Sequence, residues 1–524
     1  MRLPLLLAIA LGAALSLSPA RAVAREEDYF IDRDQRSVYF EPLYDGWFGS
    51  DRYPKRYARA AAENGAVMAF ELFIYWYDPQ SNTVDWQYPD LWTKITKQSV
   101  ARFDDNLERT NWLLHPTAGA AHYTVTRING FGVLPSFGVA ATASALYEVA
   151  FEWREIISFN DLIVTPFGGM AVGEFFYHLG NYLNSEQARP RTLDEVTGPD
   201  EFGRRFSAVT LGLPRSAAKG IEAEKPPPLV PDDSLGLSSA YSHRFELSMG
   251  ESFLTNDQHR KGTATSIGLS GRLVAMPGFL RPGHIATWFG DGNFTRFSAR
   301  SMFDQSPREL ELETDAHLFG YFKQDLRIGR GGPIGETYEL AGHTGLHYVD
   351  RWLFDRRDQY AMVHLLGPVG TAWLSRGPAR YRFALDVTPD FAAPYSLAYE
   401  QFARVHGEDG TKSSLRGHGY YYSFGVSAGA EASFTSEGFT ANIDARYGRY
   451  ESIEGHERMQ EDVTVDPHLS DDILELSSTL AFEPPGTPVL LRVTGAHVGR
   501  RSHMAEFTVH RSDERLEGAL GIHF

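Results

Sequence analysis

The chain has no cysteine among its 524 residues, which excludes a disulfide framework, a thiolate zinc site and a cysteine nucleophile. Basic residues are in short supply, with 50 Lys and Arg against 67 Asp and Glu and a net charge of −17. That balance disfavours nucleic acid as a partner and argues against a basic membrane-surface binder. Hydrophobic residues make up 43%, too ordinary a share for a protein of many transmembrane helices. Past the first two dozen residues, the one long charge-free stretch is Ile128 to Tyr147. It contains Pro135 and is rich in Gly, Ala, Ser and Thr, so we expect a protein-packed helix there rather than a membrane span. No phosphate-cradling Gly-Lys-Ser/Thr loop is present, no dinucleotide fingerprint followed by the right acid, and no Gly-x-Ser-x-Gly elbow. Nothing in the sequence calls for a cofactor or a metal.

What the sequence does contain begins at its two ends. Met1-Arg2, the uncharged run Leu3 to Ala20 and the small-residue site Ala20-Arg21-Ala22 form the pattern of a cleaved secretory signal over residues 1–22. Its removal takes away two arginines, leaving 48 basic and 67 acidic residues, a balance of −19. The last nine residues alternate strictly, with Leu516, Leu520, Ile522 and the terminal Phe524 on one face. A strand that ends at the chain terminus needs partners on both edges, and within a bilayer only closure into a barrel supplies them. This ending resembles the terminal strand of bacterial outer-membrane barrels, where a final Phe serves as the assembly signal. The resemblance implies outer-membrane lipid and the barrel-assembly machinery as partners.

Between the ends the period of the hydrophobic pattern changes. Residues 25–98 are acidic and aromatic, with a helix-like stretch from Pro54 to Tyr77, and residues 99–185 read as helical. A Pro-rich linker with room for a first strand occupies 186–234, and from 235 to 524 the period is two. In Arg380 to Thr388, for example, Tyr381, Phe383, Leu385 and Val387 share one side, while Arg380, Arg382, Asp386 and Thr388 share the other. Turn signals such as Asp291-Gly292, Gly331-Gly332-Pro333 and Pro484-Pro485-Gly486 divide this region into about 12 strands. The expected fold is mainly β, an antiparallel transmembrane barrel with a helical plug or periplasmic domain. Arg272, Arg296, Arg380, Arg382, Glu431 and Asp444 would face its lumen, where mixed charges pair to hold shape and tune selectivity. His343 and His347 share a face with Glu339, but residues four apart on a strand lie about 13 Å apart, too far to chelate one ion.

The helical region carries the most distinctive string. His115-Pro116-Thr117-Ala118-Gly119-Ala120 is followed by Tyr147-Glu148, Glu152-Trp153-Arg154-Glu155, Asn160-Asp161-Leu162, Thr165-Pro166, Gly168-Gly169 and Gly173-Glu174. Over about residues 100–185 this arrangement resembles an uncharacterised family of exported proteins, the domain-of-unknown-function family numbered 3943. The resemblance implies an envelope protein with a barrel-like second half and names no reaction. Glu148 and Glu152 stack one turn apart on a helix and need partners, for which Arg127, Arg154, His115 and His178 are candidates. His115, Glu148, Glu152, Asn160, Asp161 and Glu174 thus form a candidate polar cluster. It would act as a general acid/base or metal cluster, through His115, Glu148, Glu152 and Asp161, or else cap and crosslink a helical hairpin.

These features point to an outer-membrane barrel, more a structural or ligand-passing protein than an enzyme, acting in envelope structure or in passage or binding of a small or lipidic ligand. A lipid- or lipopolysaccharide-modifying enzyme working through Ser144 or Ser158 is the alternative, and a soluble periplasmic β protein is a third.

Overall fold

The computed structural model describes residues 55–77, 92, 101–152, 157–183, 242–276, 279–280, 282–304, 308–329, 331–354, 356–453 and 463–523. The signal segment, the linker at 186–234, Arg154, Glu155 and Phe524 lie outside the described residues.

The period-two segments build one closed antiparallel sheet. Its strands are β3 (Ser242–Asn256), β4 (Lys261–Val274), β6 (Phe294–Phe303), β7 (Arg308–Gly329), β8 (Gly332–Leu353), β9 (Arg356–Arg376), β10 (Ala379–Pro394), β11 (Ser423–Ser436), β12 (Phe439–Ser452), β13 (Leu469–Phe482), β14 (Val489–Met504) and β15 (Phe507–His523). A two-residue parallel pair, β1 (Ala101–Arg102) with β2 (Ile157–Ser158), stands apart from it. Terminal strand β15 pairs with β3, and β7 pairs with β8, which closes a barrel of twelve strands. The short strand β5 (Gly283–Phe289) lies end to end with β6 along β7, so one wall strand is laid down in two pieces. Asp291-Gly292 is therefore an interruption within a strand, not a hairpin between two. Gly292 sits at φ +62°, and a Cβ there would lie 2.0 Å from Glu174 Oε1. A helix side chain pressed against this point needs a residue with no side chain of its own.

Short turns, as at 377–378 and 437–438, mark the periplasmic end, and the long connections 395–422 and 453–468 mark the outer mouth. Alternation sorts the faces. Tyr360 on β9 reaches Glu475 on β13, and Arg500 on β14 reaches Asp358 on β9, so these residues point across the interior. Their neighbours on the opposite face point out. Leu247, Met249, Phe383, Leu385, Val387, Leu516 and Leu520 are all outward and about half exposed or more. So continuous an apolar belt is stable only against an apolar surrounding. The barrel is of the outer-membrane class, with hydrocarbon outside and charged groups within.

The helices are α1 (Tyr57–Tyr77), α2 (His115–Ile128, entered through a π-helical turn at Thr110–Leu114), α3 (Val133–Leu146, continued by a π-helical turn to Phe151) and α4 (Phe159–Leu183). Pro116 follows directly on the π-helical turn, so its missing N–H falls where the helical hydrogen-bond ladder is already irregular. The seam between α2 and α4 is made by glycine. A Cβ on Gly119 would lie 1.9 Å from Thr165 O, and one on Gly169 would lie 2.5 Å from Gly119 C.

These helices neither fill the lumen nor hang below it. They pack on the outer wall, a third placement beside the plug and the periplasmic domain expected from the sequence. Val164 and Ala171 of α4 bury Leu346, Tyr348, Ala361, Val363, Phe391 and Ala393, which are outward residues of β8, β9 and β10. At its other end Phe175 and Leu179 bury the outward Phe245, Leu273 and Phe297, and Tyr182 meets His243. Helix α4 thus runs down the wall from the outer ends of β9 and β10 to the periplasmic ends of β3 and β4. Its 25 residues span about 37 Å at 1.5 Å per residue, enough to cross the apolar belt. Val133–Phe151 has a mean hydropathy of 1.3 and is only one-third buried, so the expectation of a helix packed all round by protein holds for one face alone.

Candidate functional site

The lumen is closed at both ends. At the outer mouth, α5 (Tyr399–His406) and α6 (Ser413–His418) of the long connection fold inward, and Tyr399, Phe402 and Leu415 pack on Leu469 and Met504. Beneath them is a buried ionic knot. Arg500 binds Asp358, donates to Asp471 Oδ1 at 2.5 Å and to Tyr395 O at 2.9 Å, while Arg351 donates to Asp358 Oδ2 at 2.6 Å. Tyr421 donates its hydroxyl to Asp471 at 2.8 Å. All five side chains are buried. An apolar layer of Val349, Tyr360, Met362, Tyr450 and Ile473 follows. At the periplasmic end Met276, Phe279, Phe289, Phe294, Phe322 and Trp373 form a second apolar layer.

Between the layers lies a chamber of about 420 Å³. Six arginines and nine acids line it, a surplus of negative charge. Most are paired: Arg296 with Glu313 at 2.6 Å, Arg300 with Glu309 and with Glu311 at 2.5 Å, Arg492 with Glu246 at 2.5 Å. Along β7 to β9 histidines pair with acids. His317 meets Glu339 at 2.6 Å, His343 meets Asp315 at 2.8 Å, and His364 meets Asp390 at 2.6 Å. The Glu339/His343/His347 set thus divides among separate partners, and no group of the described residues is arranged to hold a metal ion.

Of the residues assigned to the lumen from sequence, Arg272, Arg296, Arg382, Glu431 and Asp444 line the interior, and Arg380 shares the inward face of β10 with Arg382. Leu516, Leu520 and Ile522 face outward. The polar cluster of the helices is split in two. At the outer end, Asp104 Oδ1 accepts from Asn111 at 2.6 Å, Tyr422 at 2.8 Å and Asn160 at 3.1 Å. His115 Nε2 lies 3.3 Å from Asp161, and Glu148 accepts the Ser158 N–H at 2.7 Å. Glu152 caps the π-helical turn with its N–H on Tyr147 O. Burial, with Asp161 nearby, pushes the Asp104 carboxyl up to about 8. Burial also raises Glu108, whose two oxygens have no hydrogen-bond partner.

Glu174 belongs to the other end. It accepts from Arg127 at 2.7 Å and from Tyr123 at 2.7 Å, and lies 3.3 Å from His178. Arg127 also meets Asp291 at 2.7 Å, so this group bolts the helices to the interrupted wall strand. Ser144 donates to Asp161 O and Ser158 to Asn160 Oδ1, and among the described residues neither meets an imidazole. Sequence reasoning missed His317, His364, Asp104, Asn111 and the Arg500 knot. The period-two pattern hides His364 because bulges in β7 and β9 shift the alternation.

Residues 100–198 match the family model described as Domain of unknown function (DUF3943). The DUF3943 region contributes α2, α3 and α4, the helices that pack on the barrel wall. No curated protein matches the chain. Among solved structures it is similar to an anion-selective porin from Comamonas acidovorans, at 8% identity over 54% of this chain and 99% of that one, with a TM-score of 0.20. It is likewise similar to OccK1 (OpdK) of Pseudomonas aeruginosa, at 9% identity over 54% and 99%, with a TM-score of 0.17. OmpT of Vibrio cholerae gives 7% identity over 55% and 99%, with a TM-score of 0.22.

Proposed function

We propose that this protein is a gated outer-membrane barrel that binds or passes a small polar ligand. The observation that carries the reading is the chamber of about 420 Å³ with ionic walls, closed at the outer mouth by an inward-folded connection and at the periplasmic end by aromatic side chains of the wall together with Met276 and Phe279 of the connection after β4. A barrel that served only as an anchor would have no need of unfilled charged space, since side chains alone can fill a narrow interior. Closure by connections gives gating, because connections move at lower cost than a sheet whose ladder is complete. The N-terminal signal would direct export, and the last strand would present the chain to the assembly machinery. The helices of residues 100–198 share the bilayer with the barrel as a buttress, and α3, together with α1 from the preceding segment, meets lipid.

The test is conductance in planar bilayers. Replacing Tyr399–His418 by a short Gly-Ser connection opens the outer mouth and is expected to raise single-channel conductance severalfold over the intact protein. An unchanged conductance in a variant that retains the folded barrel's heat-modifiable mobility would count against passage through the lumen.

A further inference from the structure

In the periplasmic half of the lumen, where four arginines and five carboxylates line the cavity, the arginines are gathered along one side of the wall. Arg244 on β3 stands in direct register with Arg272 on β4, and Arg272 with Arg296 on β6. Three inward arginines thus sit side by side on adjacent strands. Like charges directly opposite one another destabilise a sheet unless something neutralises them. The outer two have partners, Arg244 with Glu483 at 3.5 Å and Arg296 with Glu313 at 2.6 Å. Arg272, in the middle, is exposed to the lumen, and no carboxylate among the described residues pairs with it. Arg382 shares the cavity that Arg272 lines, bound to Glu431 and 6.0 Å from the centre of the Trp373 ring. That cavity measures about 90 Å³ and shares Arg296, Glu431, Asp444 and Arg446 with the chamber above. Its apolar side is Phe279, Phe294 and Trp373, with Phe279 edge-on to both other rings at 5.6 and 5.4 Å.

We propose that Arg272 is the anchor of an anion site for a small monocarboxylate with a flat apolar body. The guanidinium offers paired donors that match a carboxylate, and the three rings receive the body beside it. A bound carboxylate supplies the negative charge that the arginine row lacks. The proposal deepens the reading of the lumen as a ligand-handling space. It does not require passage, because the site is defined by equilibrium binding.

Benzoate is the probe, titrated by calorimetry into the detergent-purified full chain. We expect saturable binding, weakened about tenfold or more by Arg272→Gln and less by Arg272→Lys, since removing a charged hydrogen-bond partner costs that order of affinity. Benzyl alcohol, of the same shape without the charge, is expected to bind about tenfold more weakly than benzoate. Arg449→Gln, in an exposed ion pair on the outer face of β12, should leave benzoate affinity within about twofold. Arg272→Gln removes a repulsion and so is expected to keep the heat-modifiable mobility of the folded barrel. Should that variant fail to fold, the benzoate to benzyl alcohol ratio in the unaltered protein decides. Equal binding of the two probes, absent benzoate binding, or full retention of affinity in a folded Arg272→Gln protein would overturn the site. A lumen silent in bilayers but binding benzoate through Arg272 would refute passage and leave the site standing.

Discussion

Replacing Arg500 by alanine tests how the outer mouth is held shut. This arginine is 3% exposed and binds two carboxylates from different strands, Asp358 and Asp471, as well as Tyr395 O at the start of the long connection. Alanine leaves Asp358 with Arg351 and Asp471 with the hydroxyls of Tyr421 and Ser502. Loss of one partner from a buried ion pair costs about 3–5 kcal/mol, because the remaining charge keeps its desolvation penalty. We expect the temperature at which the barrel loses its compact electrophoretic mobility to fall, and the inward-folded connection to loosen with it. In planar bilayers the variant is expected to show more frequent openings than the parent. Arg500→Lys should lie close to alanine, since one ammonium does not span both acids as a guanidinium fork does. A variant with unchanged thermal stability and unchanged conductance would refute the idea that this knot ties the connection to the wall.

Two further outcomes follow from the helices. Gly119→Ala places a Cβ 1.9 Å from Thr165 O, where both groups are backbone-fixed, so α2 and α4 must separate by about 1 Å or more at a cost of about 1–3 kcal/mol. Limited proteolysis should then cut the helical region sooner while the barrel resists, and equal resistance would argue against the glycine seam. Asp104 gives a pH dependence: with its carboxyl raised from 3.8 to about 8, the folded chain holds a proton that the unfolded chain releases. The docking of residues 101–112 is therefore strongest below about pH 4 and is lost as pH rises through about 8. Asp104→Asn is expected to flatten that decline in protease-protection curves, and an unaltered slope would contradict the assignment.

The alternating strands were legible in the sequence because lipid on one side and water on the other impose opposite demands on neighbouring residues. The antiparallel barrel of about twelve strands was legible in that rhythm, and its closure is seen in the pairing of β15 with β3 and of β7 with β8. Asp291-Gly292 misled because the same two residue types that make hairpins also serve where a strand must break, and the contact that requires the break, Glu174, is over a hundred residues away. The position of the helices was written more faintly. Outward positions under α4 include residues as large as Leu346, Tyr348 and Phe391, of the same kind as bare ones such as Leu340, Leu385 and Leu520, so the strand pattern does not mark which outward positions a helix covers. The polar cluster was read as one site because its members lie close in sequence. Along α4, however, Asp161 and Glu174 are separated by nearly four turns and so serve opposite ends of the wall.

The absence of native cysteine makes one measurement especially direct. Single cysteines at Leu134 on α3, Leu385 on the outer barrel wall and Glu475 in the lumen would each carry a fluorophore in reconstituted vesicles, with quenching by brominated acyl chains compared against aqueous iodide. The label at Leu134 is expected to be quenched by lipid to about the same extent as at Leu385, while the label at position 475 responds neither to lipid nor, with the mouth closed, rapidly to iodide. A label at Leu134 that is open to iodide and blind to lipid would place the helices in water and contradict the architecture on which the proposed function rests.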